Sequence, residues 1–66
     1  MRYEFIVCGA VTDAAMGQLP QLSSVPYPTG GTALFGPVLD ESDASSVLAQ
    51  LVELGLKVVD MRRLPD

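Results

Sequence analysis

Three arginines are the residues of this sequence best suited to bind an anion. Arg2 opens the first predicted strand, and Arg62 and Arg63 lie near the end of the last one. If these strands pair antiparallel, three guanidinium groups gather at one end of the sheet, where they could hold a carboxylate or a phosphate. The favoured alternative is ion pairing with the acidic residues nearby, which are Glu4, Asp60 and Asp66.

The connection between the first strand and the first helix is a second candidate. It ends in Thr12 and Asp13, at a predicted helix N-terminus. Free backbone N–H groups at such a position bind small anions or polar effectors. Thr12 and Asp13 are therefore candidate ligand-binding residues, although a side-chain oxygen at either position also serves as an ordinary helix cap.

From the remaining polar residues we expect no catalytic site, no metal site and no cofactor. Without histidine, the chain has no Ser-His-Asp triad and no histidine-ligated zinc. Cys8 has no histidine to activate it and is interpreted as a small buried hydrophobe. The acidic run at residues 40–43 does not fit a calcium loop and is explained by helix capping.

Composition narrows the classes of partner and compartment. The 66 residues carry eight acidic and four basic side chains, a net charge of -4, which disfavours nucleic-acid binding. No apolar run approaches the roughly 20 residues of a membrane span, and no segment resembles a secretory signal. We therefore expect a cytoplasmic protein with no membrane or nucleic-acid partner.

The hydrophobic pattern predicts six elements in one domain, residues 1–66. The strands are expected at residues 3–7, 25–28, 32–35 and 56–64. The first helix covers about residues 13–19, and the second runs from its cap at Asp40 to Gly55. Their order predicts an α+β, ferredoxin-like βαββαβ sandwich with sheet order 4-1-3-2 and both helices on one face.

Each predicted strand offers apolar side chains to both faces of the sheet. In the first strand, Phe5 and Val7 alternate with Ile6 and Cys8. A sheet face in contact with water is usually more polar, and a chain this short gains little stability from its own core. These two facts predict a homodimer or larger homo-oligomer that buries the face left open by the helices.

Four segments carry a pattern of core and turn residues: 2–5 (RYEF), 36–40 (GPVLD), 48–51 (LAQL) and 54–64 (LGLKVVDMRRL). In this pattern the chain resembles a group of short uncharacterised actinobacterial proteins. The resemblance implies a ferredoxin-like or ACT-like domain and transfers no active site.

The leading hypothesis for function is a non-enzymatic binding or regulatory module. It would bind a protein partner or a small effector at the oligomer interface. The alternative is a small oligomeric enzyme or accessory protein of the dimeric αβ-barrel kind, with an apolar substrate cavity between sheet and helices.

Overall fold

A computed structural model describes residues 1–65 as a four-stranded sheet with two helices. Along the chain the elements are β1 (Arg2–Val7), α1 (Asp13–Gly17), β2 (Ser23–Pro26), β3 (Thr32–Pro37), α2 (Glu41–Glu53) and β4 (Val58–Leu64). The predicted α+β class and the order of the elements are confirmed.

The sheet is antiparallel throughout, with strand order β2-β3-β1-β4. Read from β4 to β2, this order is 4-1-3-2, the order expected from the sequence. Strands β2 and β4 lie at the edges, as predicted from the prolines and charges that they carry. Pro26 cannot donate a backbone hydrogen bond, so an edge strand is where it costs least.

The core lies between one face of the sheet and the helices. Phe5 and Val7 of β1, Leu34 of β3 and Leu51 of α2 are each 0% exposed. The other members of this buried cluster are Tyr3, Leu19, Leu22, Val38, Ala44 and Val47, with Met16 of α1 packed against it. Both helices therefore cover the same face of the sheet, and we call the other face the open face.

The bounds of several elements differ from the predicted ones: β1 starts at Arg2, and β3 extends to Pro37, past its predicted end at residue 35. Strand β2 ends at Pro26 because Tyr27 and Gly31 close the hairpin: the N–H of Tyr27 donates to the carbonyl of Gly31 at 3.1 Å. Helix α1 ends at Gly17, which frees Leu19 to fill the core. Strand β4 starts at Val58, after Gly55 turns the chain with a φ of 83°.

Helix α2 begins where the sequence predicted. The Asp40 side chain accepts a hydrogen bond from the N–H of Asp43 at 2.8 Å, and the Asp43 carboxylate accepts one from the N–H of Leu39 at 2.8 Å. The first bond satisfies a backbone donor that the first turn leaves free, and the second holds the residue before the cap against that turn. The capping interpretation of the acidic run is confirmed.

Gly36 allows β3 to pass close to the segment that follows α1. A Cβ at Gly36 would overlap the backbone carbonyl oxygen of Gln21, whereas a Cβ at Gly17 would meet nothing within 4 Å. We expect Gly36→Ala to lower the free energy of unfolding by about 2 kcal/mol, because backbone must move to relieve the overlap. Gly17→Ala is the control and should be neutral or stabilising by up to about 1 kcal/mol. Urea unfolding followed by circular dichroism measures both, and equal effects would contradict the close approach.

Candidate functional site

A β-bulge interrupts the pairing of β4 with β1. Val7 lies opposite Val58, but the next residue of β1, Ile6, lies opposite Asp60, so Val59 is an extra residue. Val58 and Met61 consequently both pack against the core cluster, and Val59 is 54% exposed. Strict alternation along β4 would place Val59 and Met61 on one face, and the bulge breaks that alternation.

The bulge forms one wall of an apolar groove between helix α2 and strand β4. The α2–β4 groove has a volume of about 490 Å³ and opens widely to solvent. Its lining residues are Leu48, Val52, Leu56, Lys57, Val58, Val59, Asp60 and Met61. Val52 is 59% exposed, so much of this apolar surface is uncovered. Sites that bind small molecules or side chains have volumes and linings of this kind.

The outer edge of β4 carries a hydrogen bond within its own chain. The backbone N–H of Met61 donates to the carboxylate Oδ1 of Asp60 at 2.8 Å. In an antiparallel pair, successive residues direct their backbone groups alternately to the partner strand and away from it. The N–H of Cys8 donates to Lys57 and the carbonyl of Met1 accepts from Val38, so even-numbered residues of β1 bond to β4 and odd-numbered ones to β3. Met61 lies opposite Phe5, so its N–H points away from β1, where the Asp60 carboxylate covers it.

The predicted arginine group is divided between the two faces of the sheet. Arg63 lies opposite Tyr3, whose side chain is in the core, so Arg63 is on the helix side. Arg62 lies opposite Glu4 on the open face, and its Nε donates to Glu4 Oε1 at 2.8 Å. Arg2 lies opposite Leu64 at the same end of the sheet.

The predicted ion-pairing alternative therefore holds for Arg62 and Glu4. Asp66, a further predicted partner, lies outside the described residues. Two opposite faces divide the arginines, so they do not form one three-guanidinium site.

Thr12 and Asp13 lie where the sequence placed them, at the start of α1. The Thr12 Oγ1 accepts a hydrogen bond from the N–H of Ala15 at 3.2 Å, which makes it the N-cap. A neighbouring hollow of about 450 Å³ is lined by residues 9–11 and by parts of β2 and β3, but not by Thr12 or Asp13. Thr12 therefore caps a helix of 5 residues, and Asp13 is the acidic residue in its first turn.

Cys8 is exposed, which corrects the interpretation of this residue as a buried hydrophobe. It follows the last residue of β1 on the side of Glu4 and Ile6, which the helices do not cover, and its N–H donates to the carbonyl of Lys57 at 2.9 Å. Within residues 1–65, no group of three or more acidic, cysteine or histidine side chains is placed to hold a metal ion.

Sequence reasoning missed the α2–β4 groove. Its wall depends on the bulge, and a bulge cannot be read from hydrophobic alternation. One signal was present: Val52 falls outside the helical stripe of Ala44, Val47 and Leu51, and so is an apolar residue on the solvent side of α2.

The fold and groove define a small α+β domain with one uncovered sheet face and a surface groove for apolar groups. The chain belongs to the family described as Domain of unknown function (DUF8691), whose model matches residues 2–62. Searches of curated proteins and of solved structures found no match. Among the described residues, neither helix is long and apolar enough to cross a membrane.

The exposure of Cys8 predicts a reactive thiol in the folded protein. We expect a coloured disulfide reagent to modify Cys8 without denaturant, at about the rate of an unfolded control in urea, because Cys8 is exposed in the folded protein. Absorbance of the released thiolate measures the rate. A native rate slower by about a hundredfold or more, which is the behaviour of a buried thiol, would contradict the exposed position.

Proposed function

We propose that this protein is a small, self-associating, non-enzymatic binding module. Its binding surface is the α2–β4 groove, and the exposure of Val52 and Val59 beside that groove is the observation that supports the proposal. The occupant is an apolar group of a protein partner or of a small effector, held where two copies meet.

Self-association is supported by size and by the position of the uncovered apolar surface. A single core in a chain of 66 residues supplies only a few kcal/mol of stability, and burying further apolar area between copies adds to it. Val52 and Val59 are both more than half exposed on the same side of the molecule. A second copy on that side would remove both side chains from water.

The open face of the sheet supports self-association less well than the sequence suggested. Ile6 and Ala33, at its centre, are already sheltered by their neighbours to 6% and 2% exposure. Val25, at 45%, offers uncovered apolar area, while the ion pair of Glu4 with Arg62 keeps part of the face polar. Coverage of the open face by a second copy stays a prediction, and Val25 is the residue that tests it.

The alternative function is a small enzyme of the dimeric αβ-barrel kind. The layer between sheet and helices is filled by Phe5, Leu34 and Leu51, so the cavity for an apolar substrate would have to be the α2–β4 groove. Asp60 is the carboxylate beside that groove, and it accepts the Met61 N–H. Because one carboxylate occupied in this way offers little acid–base chemistry, the binding module is the preferred function.

A ferredoxin-like or ACT-like fold, and a likeness to short actinobacterial proteins, are part of the same proposal. The element order and the strand order support a ferredoxin-like or ACT-like domain. The likeness to short actinobacterial proteins, and a cytoplasmic location, rest on the sequence pattern.

Self-association is tested by light scattering at two protein concentrations in about 0.15 M salt. We expect the mass of a dimer or of a larger assembly, because two small chains together bury more apolar surface than one chain can. A monomer mass over the micromolar range would overturn the proposal.

The groove is tested with an apolar fluorescent dye, anilinonaphthalene sulfonate. We expect saturable binding that Val52→Glu weakens about tenfold, since a buried carboxylate is costly. Leu39→Glu is the matched control: Leu39 is 90% exposed and lies outside the groove, so this change should leave dye binding unaltered. Equal losses in the two variants would show that the dye does not bind the groove.

A further inference from the structure

We propose that two copies of the chain pair through β4, antiparallel, about a two-fold axis at Met61. The two sheets of four strands would join into one continuous sheet. This inference rests on the proposed self-association and names its interface.

The hydrogen-bonding pattern of β4 fits such a pair. The Met61 N–H points to the outer edge, where it donates to the side chain of its neighbour Asp60. In a two-fold pair centred on Met61, this N–H and the Met61 carbonyl would bond those of the second copy. The Asp60 carboxylate would then be released from the edge.

Charge decides which register such a pair adopts. Asp60 and Arg62 flank Met61, and both lie on the open face, opposite Ile6 and Glu4. An axis at Met61 places each Asp60 opposite Arg62 of the second copy, so two opposite-charge pairs form at once. Such directly opposed pairs stabilise an antiparallel ladder, whereas like charges destabilise it.

The neighbouring registers are disfavoured by the same rule. Moving the axis to Asp60 sets two carboxylates against each other, and moving it to Arg62 sets two guanidinium groups against each other. An axis at Arg63 sets the two copies of Arg63 against each other. Of the two-fold registers centred on residues 60–63, only that at Met61 opposes unlike charges.

Arg62 has the hydrogen-bonding capacity for this role. Its side chain is 64% exposed, and its bond to Glu4 uses Nε. A guanidinium group carries five N–H donors, so its terminal nitrogens are available to a second carboxylate. Glu4, 16% exposed, would fix the arginine in position for Asp60 of the second copy.

The same axis connects the proposed binding surfaces. Met61 lines the α2–β4 groove, so the grooves of the two copies would meet beside the Met61 pair. The exposed side chains of Val52 and Val59 would lie next to this junction, where pairing would bury them. The dimer would therefore present one long apolar groove in place of two short ones.

A charge-swap experiment tests the register. Asp60→Arg sets arginine against Arg62 of the second copy, and Arg62→Glu sets glutamate against Asp60. We expect each variant alone to dissociate at least about tenfold more readily than the wild type. An equimolar mixture of the two variants should form a heterodimer, because both opposed pairs are then unlike charges. Sedimentation velocity measures each case.

Asp13→Arg is the matched control, since it makes the same charge change on an exposed residue of α1 and should leave the dimer intact. A monomeric wild type would overturn the proposed self-association itself. A dimeric wild type that Asp60→Arg leaves unchanged would overturn only the β4 pairing. Dissociation by Val25→Lys, with Asp60→Arg silent, would assign the interface to the open face.

A cysteine at the axis gives an independent readout. In a Cys8→Ser background, Met61→Cys should form a disulfide-linked dimer on mild oxidation, because directly paired Cα atoms lie about 5.5 Å apart. Arg63→Cys should not, since the two copies of residue 63 would be about 14 Å apart. Circular dichroism checks that both variants fold, and efficient cross-linking at residue 63 but not at residue 61 would refute the register.

Discussion

Strand β1 is hydrogen-bonded on both sides, to β3 and to β4, and the placement of the other elements depends on it. Its successive residues alternate between the two faces of the sheet. Phe5 and Val7 enter a core that both helices cover, while Glu4 and Ile6 lie on the open face. Because residues that lie opposite each other in an antiparallel pair share a face, the face assigned to one residue of β1 assigns the faces of its partners in β3 and β4. This is why Arg62 reaches Glu4 and why Arg63 lies on the other side of the sheet.

The two edges of the sheet are protected by different means. Strand β2 contains Pro26, which removes a backbone donor and discourages any further strand from adding there. Strand β4 keeps its donors but carries charged side chains and a bulge, and Asp60 bonds the Met61 N–H. Protection by a carboxylate is reversible in a way that protection by proline is not. A partner strand that places an arginine opposite Asp60 can draw the carboxylate away from the Met61 N–H and bond that N–H itself. Strand β4 of a second copy supplies such an arginine, Arg62.

Much of the fold could be predicted from the sequence, since local chemistry and global topology agree. Asp40 caps α2, prolines and charges lie on the edge strands, and the apolar period of α2 buries Val47 and Leu51. The candidate site could not be predicted in the same way. One extra residue, Val59, moves the residues that follow it to the faces opposite to those that strict alternation predicts. No residue type is diagnostic of a bulge. Cys8 was misplaced because β1 ends at Val7, and the residue after the strand is not enclosed by neighbouring strands as Ile6 is.

The small size of the chain links these observations. A domain this short buries a limited core, and its two helices cover only one face of four strands. Adding strands at an edge extends the backbone hydrogen bonds and brings a second α2–β4 groove alongside the first, without requiring the open face to be apolar. Pairing through β4 would therefore leave the open face, with its ion pair of Glu4 and Arg62, in contact with water. The charges that make β4 unsuited to an unspecific partner are the same ones that make it complementary to a second copy of itself, so specificity and self-association would arise from the same three residues, Asp60, Met61 and Arg62.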